Sequence, residues 1–138
     1  GIVQADGILE ACGYTPDDFA QMTNGIASST CDQPARFEGY ISSVLGHQHN
    51  IGASFRMTLN PETPDELILL DIPDWDFEWQ FAYYPVEKIY IERNDIIRLE
   101  CVWDRSLRPN NLEPSYILWA DGSNDEMCFA VIMSYQKD

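Results

Sequence analysis

The stretch of sequence that decides the fold runs Phe55-Arg56-Met57-Thr58-Leu59-Asn60-Pro61-Glu62-Thr63-Pro64. Apolar and polar side chains alternate over its first half, which is the period-two pattern of a β-strand with one buried face. An asparagine and two prolines then favour a turn. Because residues 67–72 follow as a short apolar segment, the stretch predicts two neighbouring strands joined by that turn.

Further strands are predicted on both sides of this turn. Apolar residues of the segment 37–44 lead into it, and strands at residues 86–91 and 96–103 follow it, joined by a turn at residues 92–95. The segments 116–119 and 127–135 complete the set. Many short strands with regular turn signals predict an all-β fold, an antiparallel β-sandwich or jelly roll.

Residues 1–35 differ from this pattern because they are rich in small and polar side chains. The run Thr15-Pro16-Asp17-Asp18 predicts the start of a short helix that ends near Met22. Thr15 is a suitable N-cap, proline suits the first helical position, and the acids complement the positive end of the helix dipole. We therefore expect an N-terminal extension with a short helix over residues 1–35 and a β domain over residues 36–138.

Composition excludes several classes of function. The chain has 138 residues, of which 45% are hydrophobic and 12% aromatic, so it can bury a core. Its 23 acidic residues outnumber 8 basic ones and give a formal net charge of -15. Binding to nucleic acid or to an anionic membrane needs clustered lysine and arginine, so this balance argues against both. No apolar run approaches the roughly 20 residues of a membrane span.

The four cysteines are Cys12, Cys31, Cys101 and Cys128. They form no C-x-x-C pair, which argues against a zinc ribbon or a thioredoxin-type site. An even count at wide spacing favours two disulfides and a secreted protein, extracellular or periplasmic. Of the three fully paired connectivities, we favour Cys12 with Cys31 and Cys101 with Cys128. The alternative is four buried free thiols in a cytosolic protein.

The only two histidines of the chain stand together as His47-Gln48-His49. Residues two apart on a strand face the same side, so both imidazoles can bind one metal ion. The alternative is a chance pair on a solvent-facing strand, or histidines satisfied by hydrogen bonds. A carboxylate as third ligand would indicate zinc or iron, and a thioether would indicate copper. Met127 is the candidate thioether, with core filling as its alternative role.

Other chemical motifs are weaker. The acidic residues around Trp75 lack the spacing of a calcium-binding loop, which favours a solvated loop; they are Asp71, Asp74, Asp76 and Glu78. The sequence contains no nucleophile elbow, no phosphate-binding glycine loop and no Ser-His-Asp order.

Four segments, taken together and in order, resemble the C-terminal domain of the copper type II, ascorbate-dependent monooxygenases. This family includes the peptidylglycine α-hydroxylating and dopamine β-monooxygenases, and residues 75–80 are most similar to bacterial members. The resemblance covers about residues 31–138. The segments are Gly46-His47-Gln48-His49-Asn50-Ile51-Gly52, Leu69-Leu70-Asp71-Ile72-Pro73-Asp74-Trp75-Asp76-Phe77-Glu78-Trp79-Gln80, Leu99-Glu100-Cys101-Val102-Trp103-Asp104 and Asp125-Glu126-Met127-Cys128.

The resemblance implies that residues 36–138 form a jelly-roll copper-binding domain. In the family this domain holds one catalytic copper ion on an H-x-H pair and a distant methionine, which match His47, His49 and Met127. There dioxygen is used to hydroxylate a substrate C–H bond, with electrons from ascorbate or another reductant. Two imidazoles and a thioether stabilise Cu(I) and still permit Cu(II). The family's disulfide after the methionine ligand matches Cys128 with Cys101.

The chain departs from the family in two respects. The family's other domain carries an electron-supplying copper on three histidines, and no histidine remains here for such a site. Peptide-amidating members hold the substrate carboxylate with an arginine and a tyrosine at the positions of Leu45 and Val131. An apolar pair cannot satisfy a carboxylate, so a peptidylglycine substrate is not expected.

The sequence therefore predicts the catalytic-copper domain of a bacterial-type monooxygenase that acts on a small-molecule substrate. Its expected partner is the family's N-terminal copper domain or another chain that supplies electrons. Enzymatic activity of this chain alone is left open, because the three-histidine site is missing. The rival prediction is a non-catalytic structural or interaction domain, or a copper carrier, that retains the fold.

Overall fold

A computed structural model describes residues 2–4, 26–48, 52–76, 81–104 and 128–136. Every regular element in these ranges is a β-strand, and none is a helix, which confirms the all-β prediction for this part of the chain. The strands are β1 (Ile2–Gln4), β2 (Ile26–Pro34), β3 (Gly39–His47), β4 (Gly52–Leu59), β5 (Leu67–Ile72), β6 (Tyr90–Ile91), β7 (Ile96–Asp104) and β8 (Phe129–Tyr135).

The strands form two four-stranded sheets. The first, here called the β3 sheet, has the order β1-β8-β3-β6, and the second, the β7 sheet, has the order β2-β7-β4-β5. All pairings in both sheets are antiparallel. Inward side chains from both sheets form one buried cluster, including Val44 and Ile132 from the first and Phe55 and Trp103 from the second. Two antiparallel sheets that share a core have the arrangement of a β-sandwich.

The central strand β7 explains how the sequence produces this core. Its residues alternate strictly between buried and partly exposed positions. The exposed fraction is no more than 2% at each of the inward residues, which are Ile97, Leu99, Cys101 and Trp103. Burying each large apolar side chain contributes about 1.5–3 kcal/mol to folding. The alternation therefore fixes which face of β7 points towards the β3 sheet.

Strand β2 begins before the point that the sequence pattern predicts. The pattern indicates β structure from Arg36 onward, whereas β2 starts at Ile26 and pairs with β7 along its whole length. Its buried positions include the small residues Ser29 and Cys31, so it lacks the bulky apolar alternation that marks the other strands. Residues 26–34 thus belong to the β7 sheet. The helix predicted after Thr15 lies outside the described residues.

The strand predicted over residues 86–91 is wrong for most of its length, because only Tyr90 and Ile91 form β6. Val86 is fully exposed. The preceding segment instead follows the edge of β3, through an isolated bridge between Val44 and Tyr83. Its apolar residues therefore follow a sheet edge without forming a regular strand.

The two predicted turns are confirmed. Asn60 and Asn94 adopt positive φ angles of 48° and 75°, a conformation that asparagine tolerates better than most residues. The backbone N–H of Asp95 donates to the Glu92 carbonyl at 3.1 Å. These turns place β4 against β5 and lead the chain from β6 into β7. The segment predicted as a strand at residues 116–119 lies outside the described residues.

Candidate metal site

The first predicted ligand, His47, is the last residue of β3, and its register partner is Phe129, the first residue of β8. Along the end of β3 and just beyond it, Val44, Gly46 and Gln48 are buried, whereas the residues between them are partly exposed. His47 therefore lies on the outer face of the β3 sheet, away from the shared core. This is the orientation that a metal ligand at the surface of a sheet requires.

The other two predicted ligands, His49 and Met127, lie outside the described residues. In sequence, His49 follows His47 by two residues and Met127 precedes Phe129 by two residues. The structure describes the pairing of His47 with Phe129 and neither of these two candidates. Among the residues that the structure describes, no group of three or more histidine, cysteine or acidic side chains is placed to hold a metal ion.

The inner side of this end of β3 is closely packed. A Cβ on Gly46 would lie only 2.5 Å from Cε1 of Phe55, whose side chain is buried in the shared core. Real Cβ atoms do not approach another carbon so closely, so only glycine leaves room for the ring. A core side chain of the β7 sheet, Phe55, therefore packs directly against β3 at Gly46, the residue before His47.

Gln48, between the two histidines, points into the core and is 0% exposed. Its Nε2 donates to the carbonyl of Val102 at 3.2 Å, which joins the end of β3 to β7 of the opposite sheet. A Cβ on Gly52 would lie 2.7 Å from Gln48 Oε1 and 2.8 Å from Trp75 Cδ1. The rings of Trp75 and Phe55 are 6.2 Å apart between centroids. We call Gln48, Gly52, Phe55 and Trp75 the Gln48 cluster.

Sequence reasoning missed the role of Gln48, because it treated that residue only as the spacer of an H-x-H motif. One signal was present in the sequence. The middle residue of H-x-H on a strand faces away from both histidines, and hence towards the core when the histidines face outward. A glutamine at a core position is uncommon and needs a hydrogen-bond partner.

A disulfide joins Cys101 of β7 to Cys128, the residue directly before β8, with 6.3 Å between their Cα atoms. Both cysteines are buried, and the bridge connects the two sheets. It confirms the predicted pairing of Cys101 with Cys128, and it anchors the start of β8 next to the position of Met127 in the sequence. Cys31 is also disulfide-bonded. Its predicted partner, Cys12, lies outside the described residues.

The outer face beside His47 is apolar. Leu45 and Val131 are register partners on β3 and β8, and both are partly exposed. Directly opposed residues of an antiparallel pair have Cβ atoms about 4.5–5.5 Å apart and lie on the same face. Ile2 of β1 is the register partner of Val131 on its other side. The outer face next to His47 therefore carries two aliphatic side chains, Leu45 and Val131.

Within the part of the chain that the structure describes, the acidic side chains near Trp75 form no group of three that could hold a cation. Asp71 forms an ion pair with Arg56, with 3.3 Å between Oδ1 and Nε. The hydrogen bond and the charge of Asp71 raise the pKa of the Arg56 guanidinium. Asp74 and Asp76 are exposed, and Glu78 lies outside the described residues. This arrangement agrees with a solvated loop over the edge of the β7 sheet.

Comparison with protein-family models and with curated proteins gives no match to this chain. The resemblance to copper monooxygenases thus rests on its four sequence segments alone and stays a prediction. Within the described ranges, no helix is both long and apolar enough to cross a membrane.

Proposed function

We propose that this chain is the catalytic-copper domain of a copper-dependent monooxygenase with a jelly-roll fold. The reaction would be hydroxylation of a substrate C–H bond with O2 and electrons from an external reductant. The single observation that carries this proposal is the register pairing of His47 with Phe129. In sequence, His49 follows His47 by two residues and Met127 precedes Phe129 by two residues.

Chain geometry limits how far the candidates can lie from this pair. Two residues of extended chain span at most about 7 Å, and paired Cα atoms of antiparallel strands are about 4.5–5.5 Å apart. The register from Val44 with Ile132 to His47 with Phe129 is regular. His49 and Met127 are therefore each tethered within about 7 Å of chain from this pair, which limits the chain entropy lost on metal binding.

Copper suits this set of donors. Imidazole nitrogens accept both Cu(I) and Cu(II), and a thioether favours Cu(I), so the set supports a metal that changes oxidation state. Bound copper would supply the redox chemistry with O2. His47 would hold the metal on the outer face of the β3 sheet. Leu45 and Val131 would line the adjoining surface, exclude water from it and favour an uncharged, apolar part of the substrate.

The compartment and partners of the proposed enzyme follow from two further observations. The Cys101–Cys128 disulfide supports an oxidising location, extracellular or periplasmic. Both histidines of the chain are assigned to the proposed site, so the electron-supplying copper of the family would need another source. We therefore propose that a second copper domain, or another chain, delivers electrons from ascorbate or a similar reductant.

Copper titration of the purified chain tests the proposal. The wild type is expected to bind about one copper ion, and His47→Ala, His49→Ala and Met127→Ile are each expected to weaken binding about tenfold or more. Met133→Ile is a matched control, because Met133 lies on β8 with 55% of its surface exposed. Absence of binding by the wild type, or equal losses for Met127→Ile and Met133→Ile, would contradict the proposal.

A copper carrier is the second candidate, favoured by the absence of a three-histidine site from the sequence. A carrier and an oxygenase domain differ in their response to O2. A carrier would bind copper tightly and consume no O2 when ascorbate is added. Oxygen uptake by the copper-loaded chain with ascorbate, abolished by His47→Ala, would support the oxygenase.

A further inference from the structure

We propose that Gln48 is a positioning residue for the copper site, a role that rests on the proposed function of that site. Its buried carboxamide ties the His47-Gln48-His49 segment to the opposite sheet. The direction of the His47 imidazole would then be set from the core side of the sheet, by a residue that does not contact the metal.

The contacts of Gln48 fit this role. Its side chain has no exposed surface, and its Nε2 donates to the Val102 carbonyl across the core at 3.2 Å. Val102 lies on β7, next to Cys101, whose disulfide anchors the residue that follows Met127. One strand thus anchors both ligand-bearing segments. Because side chains alternate along extended chain, holding Gln48 inward directs the preceding residue, His47, outward.

The energetics of the Gln48 cluster argue against a purely stabilising role. Among the described residues, Gln48 Oε1 and Trp75 Nε1 are buried and have no hydrogen-bond partner. Buried polar atoms without a partner destabilise a folded protein. An apolar side chain of similar length at position 48 would avoid the penalty of the unpaired carboxamide oxygen. A carboxamide at this position therefore contributes orientation, through its directional bond to Val102, more than stability.

Gly52 allows this arrangement. Three atoms lie within 2.8 Å of the point that a Cβ on Gly52 would occupy: Gln48 Oε1, Gln48 Cβ and Trp75 Cδ1. The carboxamide and the indole therefore both occupy space that a side chain at residue 52 would fill. Gly46 and Gly52 flank the H-x-H segment, and each leaves room for a core side chain beneath it.

The test compares copper affinity and the EPR spectrum of the Cu(II)-loaded protein between the wild type and Gln48→Met. This variant keeps the length of the side chain and removes the amide. We expect copper affinity to fall about tenfold or more and the EPR spectrum to change, with little change in Tm. Thr58→Val is the matched control, because it removes another buried polar group, on β4, and should leave affinity and spectrum unaltered.

A measurement on the wild type covers the case in which Gln48→Met fails to fold. On titration with Cu(I), the Nε2 amide signals of Gln48 should shift in NMR spectra, whereas those of Gln136 should not. Gln136 is a suitable reference because its Nε2 donates to the Glu38 carbonyl in an exposed position. Unchanged Gln48 signals, or wild-type affinity and spectrum in Gln48→Met, would overturn the role of Gln48 while leaving the copper site intact. A wild type that binds no copper would overturn the proposed function itself.

Discussion

His47 and Phe129 are register partners at the point where β3 ends and β8 begins. Beyond this pair, the chain leaves β3 towards His49 and enters β8 from Met127. His47 and Phe129 thus pair two chain segments that are far apart in sequence. The inner side of this end is filled by the Gln48 cluster, and its outer side carries His47, Leu45 and Val131.

Replacing Gly46 by alanine is expected to destabilise the fold, because the added Cβ would lie 2.5 Å from the buried ring of Phe55. Overpacking a core in this way costs about 1–3 kcal/mol. Urea unfolding of Gly46→Ala measures the loss. In a Phe55→Leu background the same substitution should cost clearly less, since the smaller side chain leaves space. Equal losses in both backgrounds would show that Phe55 is not the obstacle.

Removing the bridge by the double substitution Cys101→Ala and Cys128→Ala should lower the free energy of unfolding by about 2–4 kcal/mol, through loss of a cross-link over a sequence separation of 27. Copper affinity should fall as well, because the segment that contains Met127 loses its anchor to β7. Urea unfolding and copper titration report the two effects separately. Unchanged copper affinity in a folded variant would show that the bridge does not hold the ligand segment.

Leu45→Arg tests the apolar surface next to His47. The wild type is expected not to bind a peptide that ends in a glycine carboxylate, because Leu45 and Val131 offer that group no partner. An arginine at the partly exposed position 45 would pair with the carboxylate through two hydrogen bonds and create measurable affinity. Isothermal titration calorimetry measures this change, with Leu45→Met as control. If the wild type bound the peptide as tightly as Leu45→Arg does, the result would contradict an apolar subsite.

The ion pair of Arg98 with Asp32 connects β7 to β2, with distances of 2.7 and 3.0 Å. The hydrogen bond to Asp32 raises the pKa of the Arg98 guanidinium. Both side chains are partly exposed, so Arg98→Met should cost less than about 1 kcal/mol at low salt, and still less at 1 M salt where exposed pairs are screened. Denaturant unfolding at two ionic strengths measures this dependence. A loss of several kcal/mol in the free energy of unfolding that salt does not reduce would contradict a weak, screened ion pair.

Much of the fold could be predicted from the sequence where apolar residues alternate with polar ones. Strands β4 and β7 follow that pattern, β5 was predicted as a short apolar run, and the asparagine-containing turns were visible as well. Strand β2 escaped prediction because its buried positions carry Ser29 and Cys31, which give no hydrophobic period. Residues 86–89 were wrongly predicted as part of a strand, because an apolar side chain such as Val86 lies exposed beside a sheet edge.

For the candidate site, the sequence predicted a strand position for His47 and the Cys101–Cys128 disulfide, and the structure confirms both. It did not predict the buried position of Gln48. That position depends on Val102, Gly52 and Trp75, which come from separate segments and meet Gln48 only in the folded protein. Short-range patterns carry no information about such a cluster.

The most direct test of the proposed copper site is anomalous diffraction at the copper edge from crystals of the chain grown with copper. We predict one strong peak on the outer face of the β3 sheet, within coordinating distance of the imidazoles of His47 and His49 and of the sulfur of Met127. A chain that takes up no copper, or a peak that lies away from His47, would contradict the proposed site.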